Sequence, residues 1–96
     1  MATFVVLMNF TEQGIKSVKQ SPDRAEAFTA VATKMGVTIK SILWTVGHYD
    51  LVTTVEGSDE AVTTLLLTLG MAGNVRTETL RAYTAGEMKA IIGKLG

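Results

Sequence analysis

The sequence predicts an α+β fold in which a strand–helix–strand unit occurs twice. Three observations predict it. Four short runs have the composition and alternation of β-strands. Two helical patterns, with apolar residues at i, i+3 and i+4 spacing, fall between them in the order β-α-β, β-α-β. A Thr-x-x-Glu box then opens a short amphipathic segment at the end of the chain.

Thr3 to Asn9, TFVVLMN, is nearly all apolar and rich in β-formers, as expected of a central strand buried on both faces. Thr11 to Gln20 is polar and helix-compatible, a lead-in turn that Gly14 weakens. Ser21-Pro22-Asp23 reads as N-cap, first-turn proline and an acid at the positive end of the helix dipole. Ala25, Phe28, Val31, Ala32 and Met35 then recur at helical spacing, and Gly36 stops the helix.

Val37 to Val46 predicts the second strand, with Val37, Ile39 and Leu43 on one face and Ile42, Trp44 and Val46 on the other. Tyr49 to Glu56 predicts the third, leaving Gly47-His48 at hairpin spacing. Ser58-Asp59-Glu60 opens the second helix, with Val62, Leu65, Leu66 and Leu69 as its stripe and Gly70 and Gly73 as its stop. The fourth strand runs from about Val75 to Tyr83. Thr84 to Glu87 caps a last helix bearing Met88, Ile91, Ile92 and Leu95. This order is the split βαβ, ferredoxin-like arrangement βαββαβ with a C-terminal helix. It implies a four-stranded antiparallel sheet with both main helices on one face, in a single domain spanning residues 1–96.

That arrangement leaves one sheet face without cover inside the chain. The chain is apolar for its length, 47% of 96 residues with a mean hydropathy of +0.28, and it has no cysteine to staple it. A domain this small buries a limited share of its surface. A second copy packed sheet to sheet, a dimeric α/β barrel or a larger homo-oligomer, would hide the excess, with Ile42 and Trp44 among the residues it covers.

Nine basic residues balance nine acidic ones, without a block of either sign, so no basic face for nucleic acid is expected. The apolar N-terminus has no positive leader and is too short to span a bilayer, so neither membrane insertion nor export is expected, and a cytoplasmic location is. Without cysteine there is no thiolate nucleophile, zinc ribbon or iron–sulfur cluster. One histidine precludes a His-x-x-x-His zinc motif, and no Gly-x-Ser-x-Gly elbow is present. Gly70-Met71-Ala72-Gly73-Asn74 follows a helix and precedes a strand, the reverse of a phosphate loop.

Gly47-x-Tyr49-Asp50, Gly73-Asn74-Val75-Arg76-Thr77, Thr79-Leu80-Arg81-Ala82-Tyr83 and the earlier Phe10-Thr11-x-x-Gly14-Ile15-Lys16 occur in an order that resembles the GYD-domain family over nearly the whole chain. The resemblance implies membership of the dimeric α/β-barrel superfamily. That superfamily includes cofactor-free monooxygenases, haem-degrading and haem-peroxidase relatives, isomerases and ligand-sensing domains, so the fold by itself assigns no activity.

His48 carries the one imidazole of the chain, a group suited to acid–base or ligand work, and it is the candidate catalytic residue. In extended backbone it shares a face with Asp50, giving two potential metal ligands where three or four are needed. The favoured reading of Gly47 to Asp50 is a turn, with a flexible glycine, a packed tyrosine ring and an aspartate that accepts backbone amides. Arg81, with Tyr83 beside it, could meet an acidic ligand, although charge on this strand also guards a sheet edge. A ligand pocket is expected between sheet and helices, lined by Phe28 and Leu66, with polar access from Asn9, His48 or Arg81. The function expected is that of a small oligomeric protein that binds a small molecule or simply assembles, with no catalysis indicated and no cofactor expected. A cofactor-independent monooxygenase or haem-handling enzyme, and a purely structural assembly protein, are the alternatives.

Overall fold

The computed structural model describes Met1–Gly96 and has the expected order of strands. β1 (Ala2–Phe10) leads through α1 (Glu12–Lys16) and a 3-10 turn at Val18–Gln20 into α2 (Ser21–Lys34). β2 (Thr38–Trp44), β3 (Leu51–Gly57), α3 (Asp59–Ala72), β4 (Val75–Ala82) and α4 (Ala85–Ile92) follow. The sheet order is β2-β3-β1-β4 with every neighbouring pair antiparallel, the ferredoxin-like topology.

Alternation decides what the sheet buries. Val6 and Met8 of β1, Leu51, Thr53 and Val55 of β3, and Val75 of β4 face α2 and α3, where Ala32, Val62 and Leu65 complete the core. Only 13 of 96 residues are buried, so the core is small for an apolar chain. Ser58 Oγ accepts from Ala61 N at the start of α3, and Gly73, at φ 83°, ends it in the left-handed region. α4 has the full reciprocal capping box between Thr84 and Glu87.

Three local expectations are corrected. First, Ser21 is not an N-cap. It already has helical backbone, φ −56° and ψ −42°, because the 3-10 turn delivers the chain into α2 one residue early. Its Oγ instead accepts from Trp44 Nε1 at 3.0 Å. Second, β2 does not keep one alternation. Ile39 pairs with Val55 and Ser41 with Thr54, so a bulge at Lys40 shifts the register. Beyond it Ile42 and Trp44, opposite Thr53 and Leu51, turn to the helix side, and Leu43 turns to the open side. Third, the β2–β3 connection is six residues, Thr45 to Asp50, closed by Thr45 N donating to Asp50 O at 2.8 Å.

Candidate functional site

The segment Gly47 to Asp50 is tied to the end of β1. Asp50 Oδ2 accepts from Phe10 N at 2.9 Å, and Asp50 N donates to Met8 O at 2.8 Å. Asn9 Nδ2 donates to His48 O at 3.0 Å. Gly47, at φ 140°, makes the bend. Tyr49 OH donates to Glu78 Oε2 at 2.7 Å across the open face. That bond, and then the carboxylate's charge, hold the Tyr49 phenol above its ordinary 10.0, because a tyrosinate would lose the proton it shares and face a like charge. The His48 ring is exposed and stands 6.1 Å from the Tyr49 ring, centroid to centroid. No third histidine, aspartate or glutamate gathers beside His48 and Asp50. Three of the four residues are therefore engaged in fastening a loop to a strand.

A second clamp joins the segment after β1 to the loop after α3. Thr11 N donates to Asn74 O at 3.0 Å, Thr11 Oγ1 donates to Gly73 O, and Gln13 Nε2 donates to Ala72 O and Asn74 Oδ1, both at 3.0 Å. Gly14 lies so close that a Cβ there would stand 1.8 Å from Asn74 O.

Beneath α2 and α3 lies a cavity of about 260 Å³. Its walls are Met8, Phe10, Ile42 and Leu51 of the sheet, Phe28 and Val31 of α2, and Leu65 and Leu69 of α3. The small side chains Ala25, Ala27 and Ala72 complete its apolar lining. Four of its polar residues are Ser21, Arg24, Thr53 and Asn74. The Arg24 guanidinium is occupied by Ser17 O at 2.9 Å, Ser17 Oγ at 3.1 Å and Gly14 O at 3.4 Å, which closes the C-terminal end of α1. Thr53 Oγ1 is buried and has no partner.

Of the residues expected at a pocket, Phe28 lines this cavity, while Leu66 packs against the core beside it. Asn9 is on the opposite sheet face, in a shallow polar depression with Leu7, Tyr49, Arg76 and Glu78. His48 meets Asn9 only through its carbonyl. Arg81 lies toward the far end of β4, 5.5 Å from the Phe4 ring centroid and 4.4 Å from that of Tyr83, with its guanidinium on Thr3 O and Ala82 O. Thr53 was readable as a polar residue in an apolar alternation, Leu51-x-Thr53-x-Val55. Ser21 was not, because its partner Trp44 is brought round by the bulge.

Two surfaces lack cover. The open sheet face presents Val5, Leu7, Val52, Leu43 and Leu80, with Leu43 60% exposed and Leu80 48%. No residue of α4 is buried, and Met88, Ile91, Ile92 and the following Leu95 are exposed. No helix is long and apolar enough to cross a membrane.

The topology and the one-sided helix layer define a ferredoxin-like α+β protein. The chain belongs to the GYD domain family, whose profile matches residues 4–92. It is also similar to a Thermus thermophilus protein described as a glutamine synthetase and cystathionine beta-lyase binding protein. The two are 33% identical over 92 residues, covering 94% of this chain and 97% of the relative.

Proposed function

We propose that this chain is a non-catalytic binding protein, paired with a second copy of itself through the open sheet face and acting on partner enzymes. The observation that carries the reading is the row Val5, Leu7, Leu43, Val52 and Leu80, an apolar stripe across all four strands that no element of the chain covers. Polar groups beside the stripe also lack partners. Asn9 Oδ1 is buried without a donor, and Arg76 has no carboxylate within reach. A two-fold partner presents the same mixture in reverse, so it can supply both apolar cover and donors.

Binding is favoured over catalysis because the one histidine sits on an exposed loop whose neighbours are occupied in fastening it to β1. The relative's description supports enzyme partners, and the exposed stripe of α4 is a surface for one after the sheet faces have paired. The cavity under the helices, with Phe28 in its wall, is where a small molecule would be held. A cytoplasmic location goes with this role.

Surface plasmon resonance of the purified chain against glutamine synthetase and cystathionine beta-lyase from the same organism tests the reading. Saturable binding to at least one enzyme is expected, weakened by Ile91→Asp. Absence of binding to both would overturn the partner assignment.

A further inference from the structure

The helix-facing row of β3 is Leu51, Thr53, Val55 and Gly57, with one hydroxyl among apolar groups. Thr53 is 1% exposed, and its Oγ1 has no hydrogen-bond partner. Valine has the same shape, so packing gives no reason for a hydroxyl here, and burying one unpaired lowers stability. Thr53 borders the cavity under α2 and α3. So does Ser21, also buried, whose oxygen accepts from Trp44 Nε1 and whose own hydrogen is left free to donate. The one charged residue of the lining, Arg24, already donates to three oxygens of the chain. The lining's other acceptor, Asn74 Oδ1, is engaged by Gln13, so the hydroxyl hydrogens of Thr53 and Ser21 lack an acceptor, and with Arg24 engaged that acceptor need carry no charge.

Size narrows the class. The volume is about 260 Å³. An apolar cavity of ~150 Å³ takes one benzene, so this one has room for a fused pair of rings. We propose that the cavity binds a neutral, rigid, apolar molecule of bicyclic size that presents one carbonyl-type oxygen to the hydroxyl of Thr53. This rests on the reading that the cavity holds a small molecule, and it adds the chemistry of that molecule.

Protein-observed NMR titrations with 1-indanone, indane and indane-1-carboxylate test it. The three share a bicyclic body and differ in the oxygen group. Indane and 1-indanone are both expected to shift Phe28, Leu65 and Leu69, with 1-indanone binding roughly five-fold tighter. Thr53→Val should keep indane binding and remove that preference, whereas Thr53→Ser should retain it. If none of the three moves cavity resonances, the small-molecule reading of the cavity falls with the inference. If indane and 1-indanone bind equally, or Thr53→Val leaves the preference intact, the acceptor assignment alone is overturned. Tighter binding of the carboxylate would overturn the neutrality of the ligand and transfer recognition to Arg24.

Discussion

Replacing Gly14 by alanine tests the clamp that joins the end of β1 to the start of β4. The new Cβ would stand 1.8 Å from the Asn74 carbonyl oxygen, a backbone atom that cannot rotate away. Clearing even 3.0 Å requires α1 and the loop after α3 to part by more than about 1 Å. That separation breaks the bond from Thr11 N to Asn74 O and the bond from Thr11 Oγ1 to Gly73 O, and it loosens the two from Gln13. Counting ~1 kcal/mol for each Thr11 bond and ~1 for the exposed Gln13 pair, the loss is about 3 kcal/mol. For a domain of this size that is a fall in Tm of roughly 12–24 °C. Gly70→Ala is the control: it lies within α3 and its Cβ would meet nothing within 4 Å. It should stabilise by up to ~1 kcal/mol, because alanine is the better helix former. Differential scanning calorimetry of both variants decides the matter. A Gly14→Ala variant that melts with the wild type would refute the close approach and the clamp built on it.

Two further predictions concern ionisation. Tyr49 is held protonated by Glu78, so in a Tyr83→Phe background its ultraviolet titration should have a midpoint above 10.0, and Glu78→Gln should move it down. The small contribution this bond makes to the fold is present below pH 10 and is lost as pH rises through the folded value. Glu87 is the reverse case: accepting from the Thr84 backbone N–H holds its carboxyl below the ordinary 4.5. The capping box of α4 should thus be complete above that value and fail as pH falls below it, seen as fraying of Gly86 to Met88 in amide exchange, while Glu87→Gln should remove the pH dependence.

Much of the fold could be read from the sequence because its signals are local. Apolar spacing, Ser58 and the Thr84–Glu87 box each act within about one helical turn of themselves, and tertiary packing did not override them. β2 was misread on its far half because a bulge inserts one residue and inverts every later side chain, and Lys40 carries no local mark of it. The role of Ser21 was hidden for the same reason, since its partner Trp44 lies beyond the bulge. The sequence motifs at Phe10–Lys16 and Gly73–Thr77 were recognisable as motifs, but their meaning is spatial: Thr11, Gly14, Gly73 and Asn74 are one contact split over some sixty residues. For the candidate site, Phe28 could be placed from helical spacing. The hydroxyls of the cavity depend on which sheet face each strand turns inward, which alternation gives for β3 and withholds for β2.

The proposed pairing of two copies rests on what covers Val5, Leu7, Leu43, Val52 and Leu80. Sedimentation equilibrium of the wild type and of Leu7→Lys, a change on the open face that leaves Val6, Met8 and the core untouched, measures it directly. The wild type is expected to sediment at twice the 10.3 kDa chain mass or a higher multiple, and Leu7→Lys to approach a folded single chain. A wild type that stays monomeric at micromolar concentration, with Leu43 and Leu80 in water, would contradict it.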